Sequence, residues 1–352
     1  MADFAPGSLY VDVPQTNMAV RRFVSDGRFI ATKMVPKLVV KKPSGLYTTV
    51  NVGDLNRDEL EPRGPTAAPK KAAWGYGTAP FKTDARSLEY DVNDAAAAAA
   101  DVERNPELLV PRVLAYKAAL HTERRMAATF FTPSAWYRTV TGAGADNTGT
   151  ATAKNRLYFD NAGADIIEAI QDEIRIQSNL TGMAPEQMGF AMGGRLWHKV
   201  RNAAKIKAQV FATINGNNTL IAAARAAEAP QIAALLGIKW VGVSTAIYNA
   251  ALENETPNNL PIVPPDDGLL FYSPTAGDEN GDAGLTLQSE EPAAFARFVW
   301  NGVASDQGIQ IRKVRDEKAG PGGSWANIID VYNGFGVITP EAGTYFQGMV
   351  TP

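Results

Sequence analysis

The chain of 352 residues contains no cysteine and only two histidines, His121 and His198. Without thiols there are no disulfides, thiolate nucleophiles or cysteine metal sites, and a reducing compartment is favoured. Two imidazoles cannot build a three-histidine zinc site. Neither belongs to an H-E-x-x-H motif, and a Ser-His-acid triad has little material to draw on. No apolar run approaches the roughly 20 residues that span a bilayer. The start, Met-Ala-Asp-Phe-Ala-Pro, lacks a basic region followed by an apolar stretch, so a soluble, unexported protein is expected. There is no G-x-x-x-x-G-K-[ST], and neither Gly242-Val-Ser244 nor Gly322-Gly-Ser324 completes G-x-S-x-G. Gly142-Ala-Gly144 begins like a dinucleotide fingerprint but runs on into Asp, Asn and Thr, with no helix to supply a dipole. Asp278, Asn280 and Asp282 match the first positions of a calcium loop. The sixth position is Ala283 and the twelfth Ser289, so a solvated acidic loop is expected instead. These exclusions leave no cofactor, no metal and no enzymatic chemistry to assign.

What the sequence does contain is core-forming material: 45% of residues are hydrophobic and the net charge is -3, enough for two or three structural units. The clearest pattern lies in residues 160–207. Ile166, Ile170 and Ile174, with Ile167 beside them, have helical spacing, and Asp165, Glu168 and Asp172 occupy another face. Asp160 or Asn161 is expected to cap this helix, and Thr181-Gly182 followed by Pro185 to end it. Residues 187–192 read as a buried strand. Gly193-Gly194 then leads into a second helix carrying Leu196, Trp197, Val200 and Ala204.

Residues 1–28 have little periodicity and read as an extended arm that needs a partner surface. Residues 29–31 and 38–40 are strand-like, Pro43-Ser44-Gly45 is a turn, and Leu46, Thr48, Val50 and Val52 alternate. This predicts a hairpin bearing Lys33, Lys37, Lys41 and Lys42. Two strands alone are marginal in water, so the hairpin is expected to rest on another chain. Residues 56–82, rich in Pro and Gly around Trp74 and Tyr76, predict a long loop of the kind compact domains keep only for a use. Residues 95–100 are six alanines and favour helix. Pro111 is expected in the first turn of a helix reaching Phe131, with Val113, Tyr116, Leu120 and Ala127 as its apolar stripe. Glu123 interrupts that stripe and is expected half-exposed at the rim, rather than buried with an arginine partner.

Strands are expected at 136–140 and 157–159, with a polar loop at 142–153 between them. An alanine-rich segment, 220–229, is closed by Pro230. Strands follow around Trp240-Val241-Gly242-Val243, at 269–272, 309–314 and 328–332, the last extended by 334–338. Residues 254–268 and 274–292 are expected to be exposed loops. The sum is α+β, without a βαβ repeat. From 187 to 227 there is no acid, while Arg195, Lys199, Arg201, Lys205, Lys207 and Arg225 are basic. A subunit contact meeting acidic faces such as 165–173 of a neighbour is favoured over a phosphate-binding surface.

In their order along the chain these pieces resemble the major capsid proteins of tailed bacteriophages, which have the Hong Kong 97 fold. The resemblance is carried by Phe29-Ile30-Ala31 with Val35-Pro36-Lys37-Leu38-Val39-Val40 and Ser44-Gly45-Leu46-Tyr47, and by the helix with Glu123 and Ala127. It continues through Thr181-Gly182-Met183-Ala184-Pro185 with Met192-Gly193 and Trp197, through Leu235-Leu236-Gly237-Ile238, and through the ending 328–346. It implies an N-terminal arm (1–28), an extended loop (29–90), a peripheral domain with a spine helix (91–193 and 326–352) and an axial domain (194–325). It further implies self-assembly as hexamers and pentamers into an icosahedral shell around double-stranded DNA, built in the host bacterial cytoplasm. Implied partners are a separate scaffolding protein, a portal and a decoration protein, with no membrane and no sequence-specific DNA binding. Lys33, Lys37, Lys41, Lys42, Trp74, Tyr76, Asp165, Glu168, Asp172, Arg195, Lys199 and Arg201 are the expected assembly contacts. The four lysines are candidates for lysine-to-asparagine cross-links by location only. The competing readings are an encapsulin-type cargo compartment of the same fold and a DNA-binding protein using the 195–225 basic stretch.

Overall fold

The computed structural model describes residues 10–11, 28–50, 57–58, 60, 62–63, 71, 76–99, 106–146, 148–214, 227–274, 276, 293–302, 308–317 and 323–352. A short strand, β1 (Tyr10–Val11), comes first. Residues 29–31, expected as strand, instead lead into one helical turn, α1 (Ala31–Met34). The cause is local: the amides of Ile30 and Ala31 converge on one carboxylate, that of Glu123, which fixes a helix start rather than extended backbone. Strands β2 (Lys37–Val40), β3 (Ser44–Val50), β4 (Tyr76–Lys82) and β5 (Asp84–Asn93) follow. Strand β3 forms as expected, but Leu46 of the expected alternating row is 66% exposed and the adjacent Tyr47, outside that row, is buried. The partner of β3 is β4, paired from Ser44 with Lys82 to Val50 with Tyr76, and not residues 38–40. The hairpin therefore closes across the Pro- and Gly-rich stretch, whose last seven residues are strand rather than loop.

Helix α2 (Asp94–Ala99) takes the alanine run and α3 spans Pro106–Phe130. Pro106 takes the first position, where a missing amide costs nothing, and Pro111 lies inside the helix. The buried positions of α3 include Leu114, Ala115, Ala118, Ala119, Thr122, Glu123, Met126, Ala127 and Phe130, spaced as a helix ladder. This is rotated from the expected stripe: Val113 is 48% exposed and Tyr116 and Leu120 sit at the margin.

Strands β6 (Arg138–Ala143), β7 (Thr148–Gly149) and β8 (Ala153–Leu157) precede α4 (Ile166–Thr181). The cap of α4 is Asp165, whose side chain accepts from Glu168 N at 3.2 Å, rather than Asp160 or Asn161. Asp160 is engaged elsewhere, accepting from the amide and hydroxyl of Thr351. Gly182 ends the helix as expected, at φ 73°. Then come β9 (Met188–Gly193), wholly buried, α5 (Gly194–Asn202) and α6 (Ala204–Ile214). Pro230 lies in the first turn of a helix, α7 (Ala229–Leu236), whose start is fixed by reciprocal bonds between Glu228 and Gln231, where the sequence reading has Pro230 close the alanine-rich segment. Most of the alanine-rich segment before it, and Asp278, Asn280 and Asp282, lie outside the described residues. The remaining strands are β10 (Trp240–Ser244), β11 (Ile247–Asn249), β12 (Asn259–Pro261), β13 (Gly268–Tyr272), β14 (Phe295–Trp300), β15 (Ile309–Asp316), β16 (Ser324–Val337) and β17 (Gly343–Gln347).

Two mixed sheets result. One has the order β10-β9-β13-β17-β6-β8-β7; the other runs β1-β15-β16-β14-β2, with β5 also paired to β16. The long strand β16 organises the second sheet: residues 324–333 pair with β5 and 324–331 with β15, while its last five residues pair with β14. Helix α3 lies on this sheet, where Asn333 donates to Thr122 Oγ1 at 3.0 Å and Arg125 donates to the Asn333 carbonyl at 2.9 Å. Phe295 ties the two sheets together. Its ring stacks on Phe130 of α3 at 4.7 Å and meets Phe271 of β13 at 4.9 Å, with Trp136 edge-on at 5.9 Å. The fold is α+β, as the sequence predicts. The first sheet takes β6, β7, β8 and β9 from residues 91–193, β10 and β13 from 194–325, and β17 from 326–352, so sheet membership cuts across those consecutive segments.

Candidate functional site

Three parts of the chain meet at Glu123. Its side chain is fully buried. It accepts from Ile30 N at 3.1 and 3.2 Å, from Ala31 N at 2.8 Å and from Ser244 Oγ at 3.1 Å. The first two donors stand where the chain enters β2 and the hairpin, the third at the end of β10, and Glu123 itself sits in the middle of α3. The expected half-exposed rim position is thus wrong, and the partners are neutral donors rather than an arginine. Burial pushes the Glu123 carboxyl up to about 7, against the lowering effect of these bonds. The signal that would have found this site is the ladder of small residues on either side of Glu123, which marks a face too close to the sheet to be a rim. Ser244, which fails as part of a nucleophile motif, is a buried donor to this carboxylate.

The hairpin is rooted on its own chain. Tyr47 and Phe81 pack on Phe298 of β14 with centroids at 5.1 and 4.8 Å, and Tyr47 Oη donates to the Val337 carbonyl at 2.8 Å. Leu38, Val40 and Ala296 complete this small core. Lys37 is buried in β2, Lys33 is half-buried in α1, and Lys41 and Lys42 are exposed in the connection to β3. Trp74 and the side chain of Tyr76 lie outside the described residues.

Most of the charges on the acidic and basic helices are engaged within the chain. Lys205 Nζ donates to Asp165 at 2.8 Å, Arg195 to Asp266 at 2.9 Å and to the Thr351 carbonyl at 2.6 Å, and Lys199 stands 3.7 Å from Asp160. The bond from Lys205 holds the Asp165 carboxyl below its ordinary range. Arg201 lies over the Trp197 ring at 5.5 Å, and Glu168 is exposed. Asp172 accepts from Arg156 at 2.8 Å, which lowers its carboxyl as well. A deeper pair escaped the sequence reading. Arg138 forks onto Glu173, Nε to Oε2 at 2.5 Å and Nη2 to Oε1 at 3.0 Å, both side chains buried between β6 and α4. Its signal is Arg138 and Arg156 at inward strand positions, which demand an anion. Gly142 serves packing: a Cβ there would run into the Gly348 carbonyl, so this glycine permits backbone approach and cradles no phosphate.

Among the described residues no group of three or more His, Asp or Glu is placed to hold a metal, and no helix is long and apolar enough to cross a membrane. No protein-family model and no curated relative matches the chain. Solved structures do. A phage-related protein of Bordetella bronchiseptica RB50 is 17% identical with a TM-score of 0.68, covering 98% of this chain and 99% of that one. The capsid protein of cyanophage P-SCSP1u is 12% identical with a TM-score of 0.55, covering 90% of this chain and 87% of the other. That of the mature bacteriophage PhiM1 capsid is 11% identical with a TM-score of 0.54, covering 100% and 91%. At such identities the likeness concerns the backbone, and it extends over nearly the whole of each chain: this protein has the α+β fold of tailed-phage capsid proteins, the Hong Kong 97 fold.

Proposed function

We propose that this chain is the major capsid protein of a tailed bacteriophage, whose copies assemble into an icosahedral shell around double-stranded DNA. The observation that carries the reading is the end-to-end likeness to two phage capsid subunits, which leaves little of either partner unmatched. The hairpin rooted on Phe298, the long helix α3 on its sheet and the sheet of β9 flanked by α4, α5 and α7 supply the parts such a subunit needs. In this reading residues 1–28 are the arm and the hairpin with its connection the extended loop. Residues 91–193 with 326–352 are the peripheral domain and 194–325 the axial domain, as the resemblance implies.

Assembly proceeds through many weak contacts repeated by symmetry in hexamers and pentamers. Of the expected contact residues, Lys41, Lys42 and Glu168 are exposed, which supports their use as contacts with other copies. Asp165, Asp172, Arg195 and Lys199 first brace their own chain and offer only their outer edges. Scaffolding, portal and decoration proteins, and assembly in the host cytoplasm, belong to the same proposal. The test is electron microscopy of the purified protein with nuclease treatment of particles from infected cells. Shells with nuclease-protected DNA are expected. Small shells filled with protein cargo would replace the proposal with a cargo compartment, and a small soluble species binding DNA in a salt-dependent way would replace it with a DNA-binding protein.

A further inference from the structure

Strands β11 and β12 form a two-stranded finger, paired from Ile247 with Pro261 to Asn249 with Asn259. Its tip is rigid. The Asn249 side-chain oxygen accepts from Ala251 N at 3.0 Å and Asn258 N at 2.8 Å, the Ala250 amide donates to the Asn258 carbonyl at 2.8 Å, and the Glu255 carboxylate accepts from Leu252 N at 3.2 Å. Asn254 sits in the left-handed region at φ 69°. The root is fixed by the bond from Ile262 N to the Ala246 carbonyl at 3.0 Å and by Arg124 over the Tyr248 ring at 4.2 Å. Residues 252–261 are nevertheless all exposed. Leu252 at 74% and Ile247 at 51% hold apolar surface in water on a turn already ordered, with Glu253 and Glu255 beside them. An ordered apolar projection of this kind marks an interaction surface.

A complementary surface exists on the same chain. Helix α3 exposes Leu109, Val113 and Lys117 at four-residue spacing, with Arg112 alongside, and residues 108–122 contain no acid. One surface is apolar and acidic, the other apolar and basic. A contact between them is heterologous: each copy gives a finger and receives one, so it propagates around a ring. We propose that the β11–β12 finger of one copy docks on the Leu109, Val113 and Lys117 face of α3 in the next, Leu252 covering Val113, with Glu253 and Glu255 meeting Arg112 and Lys117. The match of charge fixes register and partner as the leucine is buried. This inference rests on the assembly reading above.

The chain's lack of cysteine gives a clean test. Leu252→Cys and Val113→Cys are made in separate chains, co-assembled, mildly oxidised and run on a non-reducing gel. A covalent dimer that requires both chains and disappears on reduction is expected. Shells that form normally but give no more dimer than an Asn179→Cys control paired with Leu252→Cys would overturn the contact. As a second measurement, Glu253→Lys/Glu255→Lys and Arg112→Glu/Lys117→Glu should each lower shell yield about tenfold, and all four substitutions together should restore it. Wild-type shells accompanied by unaffected reversals would reject the contact and leave the capsid reading standing. Failure of the wild type to assemble would reject both.

Discussion

The Ala31 amide donates to the Glu123 carboxylate at 2.8 Å across 92 residues of sequence, joining the entry to the hairpin to the middle of the long helix. Glu123→Ala would strand the Ile30 and Ala31 amides and the Ser244 hydroxyl in a dry interior. Each unsatisfied donor costs about 1–3 kcal/mol. The variant should therefore lose about 3 kcal/mol or more in urea unfolding, whereas a surface change such as Glu168→Ala should stay within about 0.5 kcal/mol.

The same carboxyl makes stability depend on pH. Burial raises it from 4.5 to about 7, so the folded chain binds this proton more tightly than the unfolded chain does. The group's favourable contribution is present below pH 4.5 and is lost as pH rises to about 7. Glu123→Gln does not titrate. The unfolding free energy of the wild type, taken relative to Glu123→Gln, should fall by about 3 kcal/mol between pH 4 and pH 8. A difference that is flat, or that rises with pH, would show that the carboxyl is not held up by burial.

Arg138 and Glu173 form the other buried commitment. Arg138→Ala leaves Glu173, among the described residues, with the more distant Arg156 at 3.8 Å and should cost about 3–5 kcal/mol. Because both charges pay desolvation, Arg138→Met combined with Glu173→Leu should recover much of that loss. A double-mutant cycle by chemical denaturation measures both. Equal costs for the single and double variants would mean that the pair acts through shape rather than charge.

Shortening the hairpin separates folding from assembly. A deletion beginning at residue 36 would also remove β2 from its sheet, so the informative variant replaces only residues 51–75 with a short Gly-Ser turn and keeps the β3–β4 ladder and the Phe298 contact. The expected product is folded by circular dichroism, unchanged in thermal midpoint within a few degrees, and unable to close shells. Normal particles would remove the extended loop from the assembly mechanism.

Local patterns in the sequence were legible where one chain segment decides its own structure. The isoleucine ladder of α4, its glycine stop, the buried β9 and the existence of strand β3 all stand as expected. Segments decided by distant partners were not. Residues 29–31 turn into a helix because Glu123 gathers their amides, and β3 finds β4 across a stretch that reads as loop. Glu123 and Glu173 look like wet helix residues until the sheets close over them. The acidic and basic helices, read as faces for a neighbour, are satisfied largely inside one subunit by Asp165 with Lys205 and Asp266 with Arg195. The order of pieces along the chain reached the fold because backbone topology persists where individual contacts have been rewritten.

The central claim is that this fold is a shell subunit. Its most direct test is a cryo-electron-microscopy reconstruction of the chain expressed with its candidate scaffolding partner. Closed icosahedral particles are expected in which this chain alone forms pentamers and hexamers, with the β3–β4 hairpin extended over neighbouring copies. A protein that stays monomeric or dimeric at every concentration and salt condition, with the fold intact, would contradict it.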